Sequence, residues 1–354
     1  MSVPATLSDL PPLDVKPGLA VNRPLPADRP VRWGILATGK IAGAYAENLA
    51  LLPEAEIAAV ASRRLESARE FAARHDAAAA YGSYDELVAD PDVDVVYVAT
   101  PHALHRENVL LAFEAGKPVL CEKALTLNAR EAEELVAAAR DKQLFFMEAM
   151  WMRCNPVIRR IQQIVDLGLI GAIQQVRADL GFFVDVPPEN RMLNPELGGG
   201  ALLDMGIYPL TFAHLFLGEP DQMQAVATMA PTGIDLNVAI ALGYEGGAVA
   251  SLTSTMTSWS PRSASIATQQ GRIDLAEPFH APKKAIWDSD GQTQEISENV
   301  IGNGLANEAL EVIRCLRNGE IESPLVPLDE TVALMALMDR IREKIGLRYA
   351  ADSD

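Results

Sequence analysis

From residue 31 to 150 the chain alternates short, almost wholly apolar runs with stretches of helical periodicity, and this alternation constrains the fold more than any other feature. Residues 31–37, 56–62, 94–99, 118–121 and 144–147 read as strands. Residues 39–50, 65–74, 84–89, 104–115 and 128–140 read as helices, with Gly116 suited to a left-handed C-cap and Asn128 to an N-cap. Strands that are apolar on both faces need cover on both, so the pattern predicts a parallel sheet with helices on either side, a doubly wound α/β domain.

The flanking segments have a different texture. Residues 1–30 hold seven of the 23 prolines and show no helical period, which predicts an extended, weakly ordered arm, either a loose tail or a strap around a neighbouring subunit. After Met150 a helix (156–167) leads into a strand (173–181), a long loop (182–200) and a helix from 201 to about 217. Strand-like segments follow. In the clearest, Leu236, Val238, Ile240, Leu242 and Tyr244 alternate with small or polar residues, the mark of a half-buried antiparallel strand. Helices over 305–318, stopped by Gly319, and 329–345, capped by Asp329, close the chain. The expected organisation is an arm (1–30), a doubly wound α/β domain (31–150) and an α+β domain with an open, largely antiparallel sheet (151–354), its last helix packing back on the first domain.

Composition narrows the function classes. The 354 residues suffice for two domains at ~150 residues each. A net charge of −18 repels phosphate backbones and anionic lipid, which argues against nucleic-acid and membrane-surface partners. Cys121, Cys154 and Cys315 are widely spaced and odd in number, so a disulfide framework is not expected and a reducing, cytoplasmic setting is. No apolar run approaches the ~20 residues that span a bilayer, and no secretory signal is visible. The five histidines form no metal-binding pattern.

Four segments carry chemistry. The first strand–turn–helix reads GILATGKIA (34–42), in which Ala37, Thr38, Gly39, Lys40, Ile41 and Ala42 fit the dinucleotide fingerprint except that Ala37 stands at its first glycine. Gly39 would let the backbone approach a pyrophosphate at the helix N-terminus. The second strand ends at Ser62, Arg63 and Arg64 instead of the carboxylate that would bind a ribose 2′-hydroxyl. A hydroxyl and guanidinium groups suit a 2′-phosphate, so NADP is expected over NAD. Glu122 and Lys123 leave the carboxyl end of a buried strand, the edge where open α/β sheets bind ligands. Gly198, Gly199 and Gly200 open a helix on which Asp204 and Tyr208, four apart, would share a face, and a tyrosine can act as acid or base beside a cation.

These segments, with ATPHALH (99–105), CEKA (121–124), MEAMWMRCNP (147–156) and GGGALLDMGIYP (198–209), resemble the glucose–fructose oxidoreductase / inositol dehydrogenase / rhizopine-catabolism family from Val31 almost to the C-terminus. The closest likeness is to its dihydrodiol dehydrogenase and NADP-dependent D-xylose dehydrogenase branch. The resemblance implies that Lys123 is the lysine of the family's Glu-Lys-Pro motif, with Ala124 in place of the proline. It implies that Tyr208 donates or accepts the hydroxyl proton, that Lys123 depresses the pKa of Tyr208 and holds the substrate oxygen, and that Asp204 orients substrate or tyrosine. It places Thr100, Pro101 and His102, together with Glu122, against the cofactor, and Trp151 and Arg153 at the border of the active site. Phe182, Phe183, Arg191 and Phe279 lie in or near loops that could shape a substrate pocket. The implied activity is hydride transfer between NADP and a sugar-like secondary alcohol or hemiacetal, by aldose C1 oxidation to the lactone or oxidation of a trans-dihydrodiol. Keto-sugar reduction is the alternative reaction, and a non-catalytic dinucleotide-sensing regulator the alternative class. A homodimer or homotetramer is expected, because the family's open sheet commonly forms subunit contacts.

Overall fold

The computed structural model of the chain describes residues 7, 10–18, 20–289 and 291–353. The chain forms two compact units, one of Val15–Cys154 with Ile301–Met335, the other of Met1–Asp14, Asn155–Val300 and Ala336–Asp354.

The first unit begins with strands and helices in strict alternation: β1 (Val31–Leu36), α1 (Lys40–Leu49), β2 (Ala55–Ala61), α2 (Leu65–His75), β3 (Ala79–Tyr81), α3 (Tyr84–Val88), β4 (Val95–Val98), α4 (His105–Glu114), β5 (Val119–Glu122), α5 (Ala129–Asp141), β6 (Phe146–Ala149) and the short α6 (Trp151–Cys154). All pairings are parallel, in the order β3-β2-β1-β4-β5-β6. That order winds outward in both directions from β1, and it leaves a crevice beyond the carboxyl ends of β1 and β4. β4, β5 and β6 are buried at every position, so β4 reads as a continuous apolar run, while β5 and β6 each bury one carboxylate, Glu122 and Glu148. In the core Trp33 meets Tyr45 edge to face, with ring centroids 5.4 Å apart, and Tyr45 stacks on Tyr97 at 4.0 Å.

The second unit is built on an eight-stranded sheet. After α7 (Pro156–Asp166) come β7 (Ile173–Gly181), a single π-helical turn (Leu202–Gly206), α8 (Ile207–Leu217), β8 (Gln222–Met229), β9 (Asp235–Gly243), β10 (Val249–Thr255), β11 (Ala264–Thr268), β12 (Gly271–Leu275), β13 (Lys284–Ser289) and β14 (Gln292–Ser297). The order is β14-β13-β12-β11-β7-β10-β9-β8, antiparallel except between β7 and β10. In β9 Val238, Ile240 and Leu242 are buried while Ala239 and Ala241 are exposed, the alternation expected for that segment. By length and hydropathy Pro195–Leu217 could cross a bilayer, contrary to the expectation that no such run exists, but 72% of its most apolar window is buried.

The chain then re-enters the first unit with α9 (Leu305–Asn318). Residues 301–335, grouped with the second domain on sequence, thus belong to the dinucleotide-binding unit. α10 begins at Leu328, so Asp329 sits inside its first turn and is not its cap. Of the proline-rich segment 1–30, residues 1–6, 8, 9 and 19 lie outside the described residues. From Ala20 onward the arm is extended but tied to its own unit. Val21 and Asn22 each donate a main-chain hydrogen bond of 2.9 Å to Gly319 O, Leu25 donates one of 3.0 Å to Leu316 O, and Arg29 pairs with Asp94.

Asn155 starts the second unit and is fully buried. Its side-chain oxygen accepts from Val157 N at 2.9 Å and Ile158 N at 3.4 Å, and its amide donates to Pro282 O at 3.1 Å. Asn155→Ala removes the α7 cap and leaves a buried carbonyl without its donor, so it should lower the urea unfolding free energy by about 2 kcal/mol. A loss within error of zero would show that neither bond matters to folding.

Candidate active site and dinucleotide cradle

The cradle residues lie at the carboxyl edge of the parallel sheet. Ala37 follows β1 with φ 91°, a left-handed backbone that favours glycine, so the turn keeps the shape of the fingerprint although its first glycine is absent. Ala37 and Thr38 are half-buried, whereas Gly39, Lys40 and Ile41 are exposed. A β-carbon on Gly39 would meet nothing within 4 Å, so the space over the turn is open. The N-terminus of α1 has no side-chain cap and no acidic residue in its first turn, which leaves its amides available to an anion. Beyond β2, Ser62 is half-buried and Arg63 and Arg64 are exposed, with no carboxylate at the strand end. This arrangement fits a dinucleotide whose pyrophosphate meets α1 and whose ribose phosphate meets the arginines.

The Glu122–Lys123 loop leaves β5 and is gripped from several sides. Tyr97 on β4 donates to Glu122 Oε1 at 2.5 Å. His102, which is buried, places Nε2 3.1 Å from Lys123 O. His105 spans the neighbouring main chain, with Nδ1 3.0 and 3.1 Å from Ala124 O and Leu125 O, and Nε2 2.8 Å from Thr100 O. The Lys123–Ala124 peptide is cis. Glu148 accepts from Leu125 N at 3.0 Å and from the Thr331 hydroxyl at 3.1 Å. Burial pushes the Glu148 carboxyl up to about 7, against these two bonds and the charges of Arg153 and Lys123. Glu308 on α9 is also fully buried, and neither of its carboxyl oxygens has a hydrogen-bond partner among the described residues. Burial first, and then Glu122 and Glu148, push it well above the usual carboxylate range.

His102, expected against the cofactor, is buried, with its ring held on the Lys123 carbonyl. Arg153, expected at the border of the active site, is buried, with its guanidinium on Leu325 O at 2.6 Å and on Glu330. Trp151 is half-buried at the start of α6. Thr100 is buried and Pro101 half-buried in the loop after β4. Tyr97, His105, Glu148 and Glu308 were not singled out from sequence. His105 and Glu148 hold main-chain groups remote in the chain, although both lie within stretches that carried the resemblance.

In the second unit the glycine loop passes straight into the π-turn instead of an uninterrupted α-helix. Single π-turns recur at functional positions. Asp204 and Tyr208 are both buried. Arg191 Nη1 lies 3.1 Å from Asp204 Oδ1, so this loop residue fixes the carboxylate. The Tyr208 ring lies 4.7 Å from that of His280, tilted by 40°. Phe279 is fully buried between His280 and Phe212, at 5.9 and 5.5 Å, so it backs this aromatic group and does not face solvent. Phe182 is half-buried and Phe183 exposed. A depression of about 550 Å³ on the sheet, lined by residues such as Arg177, Asp179, Ser251 and Asp274, contains none of the candidate residues. Lys123 thus belongs to the first unit, and Asp204 and Tyr208 to the second.

Comparisons with known proteins agree with this arrangement. Residues 31–150 match the family described as oxidoreductase family, NAD-binding Rossmann fold, and residues 158–274 match the GFO/IDH/MocA C-terminal domain. The trans-1,2-dihydrobenzene-1,2-diol dehydrogenase of Bos taurus is 36% identical over 333 residues, covering 91% of this chain and 99% of the relative. The Homo sapiens protein of the same name is also 36% identical, over 335 residues. Among solved structures, a 3-ketoreductase from Actinomadura kijaniata in complex with NADP and TDP-benzene superimposes with a TM-score of 0.79 at 27% identity, covering 90% of this chain and 98% of the other. An aldose-aldose oxidoreductase from Caulobacter crescentus, complexed with glycerol, shares the fold with a TM-score of 0.82 at 23% identity, covering 92% and 99%.

The Glu148 shift has a testable sign. Its folded pKa of about 7 lies above the ordinary 4.5, so the folded state loses stability as pH rises from about 4.5 through about 7, and the loss persists above. Glu148→Gln keeps an acceptor for Leu125 N and removes the charge. It should match the parent near pH 4 and exceed it in urea midpoint above pH 7. Parallel midpoint curves from pH 4 to 8 would contradict the assignment.

Proposed function

The chain belongs to the GFO/IDH/MocA oxidoreductase family, and we propose that it transfers a hydride between NADP and a secondary alcohol or hemiacetal carbon of a six-membered ring that bears neighbouring hydroxyls. It is an NAD(P)-dependent dehydrogenase, so the reading as a non-catalytic regulator is set aside. The observation that carries the cofactor choice is the end of β2, where Ser62, Arg63 and Arg64 stand without a carboxylate. NADP, when bound, supplies the hydride acceptor or donor.

The side chains divide the remaining work. Tyr208 Oη gives or takes the hydroxyl proton. Lys123, as the ammonium, favours negative charge on the reacting oxygen and holds the substrate hydroxyl. Asp204, kept in place by Arg191, accepts from a second hydroxyl of the substrate. Gly39 and the amides of α1 receive the pyrophosphate, and Thr100, Pro101 and the Glu122 loop border the nicotinamide half.

Two substrate classes fit one reaction. The relatives that match 91% of the chain are named for a trans-dihydrodiol, which supports that substrate class. Aldose C1 oxidation needs the same proton and hydride movements. The reverse direction, reduction of a keto-sugar, is supported by the likeness to the 3-ketoreductase. Self-association through the open sheet, as a homodimer or homotetramer, and a cytoplasmic location complete the proposal.

Arg63→Asp should raise the NADPH dissociation constant by about tenfold or more while leaving NADH binding unaffected. An unchanged NADPH constant would remove the arginine from the cofactor site. Tyr208→Phe should lower turnover by about a hundredfold or more with NADPH affinity retained. Turnover equal to the parent would take Tyr208 out of the mechanism.

A further inference from the structure

Two side chains of the second unit meet the main chain just before the π-turn. Asp235, the first residue of β9, is fully buried, and its Oδ2 accepts from Leu202 N at 2.7 Å. Its Oδ1 has no hydrogen-bond partner among the described residues. Burial pushes this carboxyl up to about 6, against the hydrogen bond from Leu202 N. From the other end of the unit, Tyr349 donates its hydroxyl proton to Gly199 O at 2.8 Å.

Both groups converge on Gly200. Its φ is 134°, and a β-carbon there would lie 2.3 Å from Asp235 Oδ1 and 3.2 Å from Tyr349 Oη. The backbone is therefore pressed against both side chains, which explains why glycine stands at this position. Tyr349 is itself fixed. The Arg342 guanidinium lies 5.1 Å from the centre of its ring and pairs with Asp352 at 2.8 Å and Asp339 at 2.6 Å. Tyr349 N donates to Asp352 at 2.9 Å. Further along the turn, a β-carbon on Gly206 would come 3.1 Å from Ser254 Oγ of β10. The turn that carries Asp204 and delivers Tyr208 is thus seated on the sheet at one end and clamped by the C-terminal segment at the other.

We infer that Asp235 and Tyr349 are positioning residues for the reaction, two side chains that touch neither substrate nor cofactor and set the place of Asp204 and Tyr208 by holding Leu202 N and Gly199 O. The inference rests on the proposed roles of Asp204 and Tyr208. A π-turn, bonded i→i+5, interrupts the regular i→i+4 ladder of the helix, and the bonds from Asp235 and Tyr349 pin the chain where that interruption begins. Displacement of a reacting group by about 1 Å can cost on the order of a hundredfold in rate.

The test uses the full-length protein and four variants, Tyr349→Phe, Asp235→Leu, Asp235→Asn and, as reference, Tyr208→Phe. Tyr349→Phe keeps the ring and its stacking with Arg342 and deletes one hydrogen bond, so it remains informative should Asp235→Leu fail to fold. Tyr349→Phe and Asp235→Leu should each lower kcat by about tenfold to a hundredfold, with KM and the NADPH dissociation constant within about threefold. Asp235→Asn, which still offers an acceptor to Leu202 N, should recover most of kcat. Hydrogen–deuterium exchange should rise in peptides covering residues 198–208 and stay unchanged in β4 and β5. Parent-like kcat in both Tyr349→Phe and a folded Asp235→Leu would overturn the inference while Tyr208→Phe remains inactive. So would a kcat loss that only matches a loss of folded, NADPH-binding protein. If Tyr208→Phe itself keeps parent turnover, the catalytic reading has failed, and the positioning inference falls with it.

Discussion

Buried hydrogen bonds to main-chain groups hold both candidate segments in place, and the proposed chemistry depends on them. At the carboxyl edge of the parallel sheet, His102, His105 and Glu148 reach the backbone from Lys123 to Leu125. In the other unit, Asp235 and Tyr349 reach the backbone from Gly199 to Leu202. Loops and π-turns leave main-chain donors and acceptors without regular partners, and burying such groups unpaired is costly. Side chains that satisfy them therefore give each segment one preferred geometry. The side chains expected to do chemistry, Lys123, Asp204 and Tyr208, are mounted on these fixed supports.

The same supports shape the electrostatics. Glu122, Glu148 and Glu308 share one buried region of the first unit, and burial together with mutual repulsion drives Glu308 toward its neutral form. Glu148, pushed up to about 7, changes charge near physiological pH beside the loop of Lys123. The strongly acidic chain thus keeps part of its carboxylate excess away from ionisation where its proposed catalytic cation sits. Arg63 and Arg64 are left exposed beyond β2, in the position where a phosphate would neutralise them.

Much of the fold was legible because the parallel strands are buried on both faces. β4 appears in sequence as an uninterrupted apolar run, β5 as an apolar run ended by Glu122, and β9 as a clean alternation. The short strands β11 to β14 were only generically strand-like, since five or six residues with polar members carry little period. The π-turn was invisible, because one turn of altered pitch leaves the apolar pattern of 201–217 intact. The return of residues 301–335 to the first unit could not be read either, since an amphipathic helix such as α9 does not declare which sheet it covers. In the site, Ala37 was recognised as a departure from the glycine fingerprint, and its φ of 91° shows that the turn survives it. Arg153 was read as a site residue because it lies in a shared motif, and its partners Leu325 and Glu330 come from a distant segment that sequence could not place beside it. Tyr97, His105, Glu148, Asp235 and Tyr349 escaped for the same reason. Their roles are defined by contacts remote in sequence, and each looks alone like an ordinary core residue.

The most direct measurement is formation of NADPH, followed by absorbance, when purified protein and NADP meet trans-1,2-dihydrobenzene-1,2-diol or D-xylose. Sustained NADPH production from at least one of them, with little or none when NAD replaces NADP, is the expected result. Protein that binds NADPH yet neither reduces NADP with these alcohols nor oxidises NADPH with a keto-sugar would contradict the account.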